Sequence, residues 1–176
     1  MKVTSIMAAA VVGLGSGAAL ADISIDFEDF AASGSQFSQV GDTTVEGTLG
    51  SALGAFYLVN EGGNWTYASD LTVMFLDSDG NAVLQIGGWT TYAATKVSWP
   101  NGDARDAGTW VDGSVDVNMD VSGYTMLLGN GYSSGTESTW TGNITLSGID
   151  FTAVPAPGAL ALLGLAGFAG TRRRRG

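Results

Sequence analysis

The sequence contains no cysteine and no histidine among its 176 residues. The absence of cysteine excludes disulfides, thiolate nucleophiles and cysteine-bound zinc. The absence of histidine also excludes Ser-His-Asp and Cys-His catalysis. The metal chemistry that remains is that of hard, oxygen-bound ions such as calcium. A folded body of this chain must therefore be held together by a hydrophobic core rather than by cross-links.

Basic residues are also scarce, since seven lysines and arginines stand against 17 acidic residues. Lys2 and the run Arg172–Arg175 lie near the two ends, which leaves only Lys96 and Arg105 between residues 22 and 153. That central part carries a net charge of 2 − 17 = −15. Such a surface repels phosphate backbones, so we expect no nucleic-acid binding. A solvated acidic coat is the simplest interpretation of this charge.

Proline is rare, and two of the three prolines open the last segment of the chain, Val154-Pro155-Ala156-Pro157. An uncharged run, residues 158–170, follows and ends before the arginine cluster Arg172, Arg173, Arg174 and Arg175. As a helix at about 1.5 Å per residue, this run reaches roughly 20 Å, less than the ~30 Å hydrocarbon core of a bilayer. We expect a short hydrophobic C-terminal helix that anchors the chain marginally or transiently, with its arginines on the cytoplasmic side. A buried core helix with a basic tail is the alternative.

This tail resembles the PEP-CTERM sorting signal of bacteria, which combines a proline motif, a short hydrophobic segment and a terminal arginine cluster. Ala156 stands where that motif usually has glutamate. The resemblance implies an exosortase-type sorting protease as a partner, and transfer to or release at the outer surface. It covers residues 154–176 and implies nothing about the activity of the preceding residues.

The first residues resemble a secretory signal peptide. Met1 and Lys2 precede an apolar run at residues 6–14, and Ala19-Leu20-Ala21 provides the small residues that signal peptidase requires before Asp22. An uncleaved anchor is the alternative, but the apolar run is too short for a stable span. We therefore expect a signal peptide (1–21), a body (22–153) and a sorting tail (154–176), with export to the cell envelope, outer surface or extracellular space.

The body shows strand patterns and no sustained helical repeat. In residues 22–28, Ile23, Ile25 and Phe27 alternate with polar residues, and residues 115–121 alternate in the same way. Residues 55–59 and 71–76 are continuous apolar runs, typical of strands covered on both faces. Further strands are expected at 82–86, 124–128 and 143–151. The predicted fold is all-β, a single antiparallel β-sandwich of jelly-roll type in which the first body strand lies near the last.

Residues 77–81, Asp-Ser-Asp-Gly-Asn, separate two predicted strands and indicate a hairpin turn. Asp77, Asp79 and Asn81 also occupy positions one, three and five of a calcium-loop pattern. The pattern then fails, because Ala82 stands at the obligatory glycine and Gly88 at the final glutamate. The hairpin is the favoured interpretation, and calcium at Asp77, Asp79 and Asn81 is the alternative.

A stretch rich in aromatics, Gly87–Gly113, is the best candidate for a ligand surface. It contains Trp89, Tyr92, Trp99 and Trp110, interleaved with Asn101, Asp103 and Asp106. Aromatic rings can stack on sugars while carboxylates and amides bind hydroxyls. The alternative is that these rings fill the core, as aromatics in β-sandwiches commonly do.

Together these features predict an exported, non-catalytic structural or binding protein of the cell envelope or extracellular matrix, with an extracellular polysaccharide as its candidate ligand. The alternative is a small secreted glycoside hydrolase, because two carboxylates can hydrolyse glycosides without histidine. The sequence singles out no pair among the 17 acidic residues. We therefore expect no enzyme activity.

Overall fold

The computed structural model describes residues 22–63, 65–133 and 136–152, together with the backbone of residues 7–10. Within these residues the secondary structure is β, apart from one 3-10 turn at Ala68–Asp70. The strands are β1 (Met7–Ala10), β2 (Ile23–Ser33), β3 (Phe37–Gln39), β4 (Val45–Asn60), β5 (Leu71–Leu76), β6 (Ala82–Ile86), β7 (Thr95–Val97), β8 (Trp110–Asp120), β9 (Thr125–Asn130) and β10 (Glu137–Phe151).

The strands form two five-stranded sheets. Sheet A has the order β1-β2-β10-β4-β8, and sheet B has the order β3-β9-β5-β6-β7. Every pairing is antiparallel except that of β6 with β7. From β2 onwards, β2, β4, β8 and β10 belong to one sheet and β3, β5, β6 and β9 to the other, which is the interleaving of a jelly roll. The predicted β-sandwich is confirmed, including the pairing of the first body strand, β2, with the last, β10.

The core lies between the sheets and is built from the apolar members of each alternating strand. Ile23 and Ile25 of β2, Phe56 and Leu58 of β4, and Phe75 of β5 are completely buried. Trp140 of β10 is also completely buried, and its Nε1 donates to the carbonyl of Ala68 at 3.2 Å. Two sheets of this length therefore bury a continuous apolar layer without any cross-link.

The two sheets differ in what covers their outer faces. Residues 87–94 fold over the outer face of sheet B, where Gln85 donates to the carbonyls of Gly87 and Thr90 and accepts from the amide of Tyr92. Strand β5 is covered on both faces, as its apolar run predicts. Residues 55–59 form part of β4, but the prediction that both faces are covered is wrong there. Tyr57 points away from the core and is partly exposed. No segment of the described residues covers the outer face of sheet A in this way.

Strand β1 lies within the predicted signal peptide and pairs with Ile23–Asp26 at the edge of sheet A. The predicted cleavage before Asp22 would remove this strand. Ala19, Ala21, the Val154–Pro157 motif and the arginines of the tail lie outside the described residues. Among the residues that the structure describes, no helix is both long and apolar enough to cross a membrane.

Candidate functional site

A cavity of about 500 Å³ opens at the end of the sandwich where β5 begins and where β6 and β7 end. We call it the rim cavity. Its lining comes from the turn before β5, the loop after β6, strand β7 and the loop that follows it: Tyr67, Ser69, Asp70, Gly87, Gly88, Trp89, Lys96, Ser98, Trp99 and Asp103. Its volume lies within the range of small-molecule sites, roughly 300–1,000 Å³.

Backbone hydrogen bonds join the loops around this cavity. The amide of Ser69 donates to the carbonyl of Gly102 at 3.1 Å, and the carbonyl of Ser69 accepts from the amide of Gly88 at 2.8 Å. The amide of Gly87 donates to the carbonyl of Val97 at 2.8 Å. These bonds tie three separate loops into one frame, so the cavity walls are positioned before any ligand arrives.

The Gly87–Gly88 pair determines how closely the loop after β6 approaches the core. Gly87 has φ +85°, and a Cβ at this position would overlap the indole nitrogen of Trp99 and the carbonyl of Leu71. Only glycine fits both the conformation and the space. The turn that it permits carries the next side chain, Trp89, to the mouth of the cavity.

Two of the four aromatic residues predicted as a ligand surface line this cavity, in different roles. The side chain of Trp89 is 72% exposed. Trp99 is 5% exposed; its Nε1 donates to the carbonyl of Leu71 at 2.8 Å, and its ring packs edge-on against Phe56. Trp99 therefore belongs to the core at the base of the cavity, whereas Trp89 offers a free aromatic face to solvent.

The other two predicted aromatics lie elsewhere. The hydroxyl of Tyr92 is 2.6 Å from the hydroxyl of Ser35, and its ring packs against Phe37 over sheet B. Trp110 is 53% exposed and stacks against Tyr57 on the outer face of sheet A. The four side chains therefore do not form one continuous surface.

Polar groups of both signs line the same cavity as Trp89. The ammonium of Lys96 donates to the backbone carbonyl of Trp89 at 2.7 Å. The hydroxyl of Ser69 donates to the carboxylate of Asp103 at 3.2 Å. Together with Ser98, these groups offer donors and acceptors to a polyhydroxylated ligand beside an aromatic ring.

Asp70 is a buried carboxylate in this cavity, with only 2% of its surface exposed. Burial raises the pKa of Asp70 from 3.8 to about 6, because a charged carboxylate loses its hydration there. Hydrogen bonds from the amides of Tyr67 and Trp89 and the charge of Lys96 act in the opposite direction, while the nearby Asp103 adds to the increase. The bond from the amide of Tyr67 is 2.8 Å long and closes the 3-10 turn.

Three lining residues, Tyr67, Ser69 and Asp70, lie outside the predicted stretch Gly87–Gly113. The available signal is the position of Asp70 immediately before the apolar run Leu71–Leu76, where a buried strand begins at the rim of a sandwich. Polar residues at such positions often belong to binding sites, because loops at the ends of strands commonly form these sites. That signal is shared by many turn residues and does not single out Asp70.

The predicted hairpin at residues 77–81 is confirmed, since β5 and β6 pair directly across it. Asp77 Oδ1 accepts from the amides of Asp79 and Asn81 at 3.0 and 2.8 Å, and the side-chain amide of Asn81 donates to both carboxylate oxygens of Asp77. These hydrogen bonds lower the pKa of Asp77, and those from Asn81 contribute most. Within the described residues, no three acidic side chains cluster as metal ligands. Calcium at Asp77, Asp79 and Asn81 stays a prediction.

Melting curves test the calcium prediction. With a net charge of −15 on residues 22–153, we expect added sodium chloride to raise the melting temperature, because the Debye length falls from about 30 Å at 0.01 M to about 8 Å at 0.15 M. A calcium site would raise it further at equal ionic strength, and Asp79→Ala would remove only that increment. Identical curves in calcium and sodium chloride of equal ionic strength would rule out the site.

Comparison of the chain with protein-family models, curated proteins and solved structures finds no match.

Proposed function

We propose that this protein is an exported, surface-associated, non-catalytic binding module that holds a carbohydrate in the rim cavity. The observation that carries the proposal is Trp89, a large aromatic side chain that is 72% exposed at a cavity whose lining also includes hydroxyl, ammonium and carboxylate groups. A free indole face beside convergent polar groups matches a sugar ring, which is apolar on its faces and carries hydroxyls on its edges.

Each lining group has a definite part in this proposal. The indole of Trp89 stacks on the ring, the carboxylate of Asp103 accepts hydrogen bonds from hydroxyls, and the ammonium of Lys96 donates to them. Trp99 supports the base of the cavity from the core. The hydrogen-bonded frame of the three loops reduces the entropy cost of ordering the site when the sugar binds.

Export and surface sorting rest on the two ends of the sequence. One proposed partner is signal peptidase, which acts at Ala19, Ala21 and Asp22. The other is an exosortase-type protease that recognises the tail, and the hydrophobic segment of the tail also contacts the membrane. A mature protein that begins at Asp22 is the expected product of the first step.

A glycan array with matched tryptophan variants tests the binding proposal. We expect the native protein to bind one class of glycan and Trp89→Ala to weaken that binding about 5- to 150-fold, since a stacked aromatic contributes about 1–3 kcal/mol in comparable ring stacking. The control is Trp65→Ala, which removes another exposed tryptophan, 60% exposed and outside the lining of the rim cavity. Equal loss in both variants, or no loss in Trp89→Ala, would contradict the proposed site.

A carboxylate-dependent hydrolase is the second candidate, because Asp70 and Asp103 line one cavity and the pKa of Asp70 is raised to about 6, as suits a general acid. Against it, the carboxylate of Asp70 is occupied by a backbone amide that closes the turn before β5. Release of reducing sugar that Asp103→Asn abolishes would favour the hydrolase. Binding without release favours the module.

A further inference from the structure

The outer face of sheet A carries a second group of exposed side chains, none of which lines the rim cavity. Strand pairing arranges them in rows across β2, β10, β4 and β8. Asp26, Asn143, Ala55 and Asp112 are successive partners in one row. In the adjacent row, Tyr57 lies between Thr141 and Trp110.

An aromatic pair forms one end of this face. The rings of Tyr57 and Trp110 lie 4.8 Å apart at an interplanar angle of 38°, and Trp110 is 53% exposed. Leu53, four residues before Tyr57 on the same face of β4, is 42% exposed. Because Tyr57 supports one side of Trp110, the indole is held in place while its surface stays open to solvent.

A depression of about 620 Å³ lies next to the aromatic pair. It forms where the register of β10 against β2 shifts between Trp140 and Gly142, and Ala55, Thr141 and Asn143 line it. Gly142 has φ +146°, and a Cβ there would overlap the backbone of Ala55 and Phe56. No side chain can fill the depression from this position, so it stays open beside the rings.

The charge on this face has one sign. Asp26, Glu28, Asp112 and Asp116 are exposed on it. The two basic residues of the body lie elsewhere: Lys96 lines the rim cavity, and Arg105 packs over Trp65 and pairs with Glu61 at 3.9 Å. Asn143 donates its amide hydrogens to Ser24 and Asp26. The face therefore offers mainly acceptors and negative charge.

We propose that the outer face of sheet A is a second binding surface, which takes a polysaccharide whose sugars carry free amino groups. Tyr57 and Trp110 stack on sugar rings, and the indole also attracts an ammonium group through its negative face. Neighbouring strands lie about 4.8 Å apart, so Asp26 and Asp112 at the ends of one row are separated by roughly 14 Å. Ammonium groups on two non-adjacent sugars of an extended chain meet these carboxylates in charge-assisted hydrogen bonds.

Charge complementarity selects this ligand over other polymers. Uronic-acid or phosphate polymers would be repelled by the four carboxylates, and a neutral polymer would gain the ring stacking without the ionic contacts. This surface is independent of the rim cavity, because it uses other residues on another side of the sandwich.

Calorimetric titration of the full chain with glucosamine oligomers tests the surface at mildly acidic pH, where the sugar amines are protonated. N-acetylglucosamine oligomers of equal length are the matched probe. We expect the free amines to bind at least about tenfold more tightly than the acetylated oligomers, and the difference to shrink as ionic strength is raised to about 0.15 M.

Two tryptophan variants separate the two proposed sites. We expect Trp110→Ala to lower the affinity for glucosamine oligomers at least about tenfold, with an unchanged melting temperature, and Trp89→Ala to leave that affinity unchanged. Asp112→Asn should reduce the salt dependence. Equal affinity for acetylated oligomers, or full affinity in Trp110→Ala, would overturn the proposal. Loss in Trp89→Ala alone would place amine binding in the rim cavity instead.

Discussion

Replacing Trp99 with alanine is expected to lower the free energy of unfolding by about 3–5 kcal/mol, the usual cost of removing a buried tryptophan. The ring packs between the sheets against Phe56 at a centroid distance of 5.4 Å. Its Nε1 satisfies the carbonyl of Leu71, which would lose this partner in the variant. Urea unfolding followed by circular dichroism measures the change.

Trp89→Ala is the matched control, because it removes the same side chain from the same cavity at a 72% exposed position. We expect its unfolding free energy to stay within about 0.5 kcal/mol of the native value. If Trp99→Ala were as stable as Trp89→Ala, Trp99 would not be a core residue, and its role as the base of the cavity would be lost.

The second large effect concerns pH. The folded-state pKa of Asp70 is about 6, against an ordinary 3.8, so the folded protein retains this proton where the unfolded chain has lost it. The unfolding free energy should therefore fall as pH rises from about 4 to about 6, by up to about 3 kcal/mol from this group. Burial of the carboxylate is the main cause.

Asp70→Asn isolates this contribution, because asparagine is similar in shape and does not titrate. We expect the variant to lose most of the slope between pH 4 and 6. Repulsion among the other carboxylates remains in both proteins, so the difference between the two curves is the measurement. The pKa values of Asp77 and Asp120 are lowered, so these two groups stabilise the folded state above pH 3.8. That contribution is lost only as the pH falls below 3.8. Parallel curves for native and Asp70→Asn would contradict the assignment.

The fold could be predicted where a single strand carries its own signal. β5 and β6 match the predicted ranges because an apolar run, a five-residue turn and a second run are all local features. β4 is much longer than its predicted piece at residues 55–59, since Gly47, Gly50 and Gly54 suggest turns in the sequence but lie within the strand. The short strands β3 and β7 have three residues each and depend on pairing with distant partners.

The site could be predicted only in part for a related reason. Trp89, Trp99 and Trp110 are the same residue type in one stretch, yet only tertiary contacts make Trp99 a core residue and leave the others exposed. Neither Asp70 nor Tyr57 is singled out by its position in the sequence. Asp70 gains its raised pKa from the loops packed around it, and Tyr57 gains its role from pairing across strands with Trp110.

Nitrogen-proton NMR of the five tryptophan indoles during titration with the array-selected glycan tests the central claim most directly. The signal of Trp89 is assigned by its disappearance in Trp89→Phe. If a sugar stacks in the rim cavity, this signal should shift progressively and saturate, while the signal of the buried Trp140 indole should not shift. A saturable shift of other indoles with Trp89 unmoved would contradict carbohydrate binding in the rim cavity.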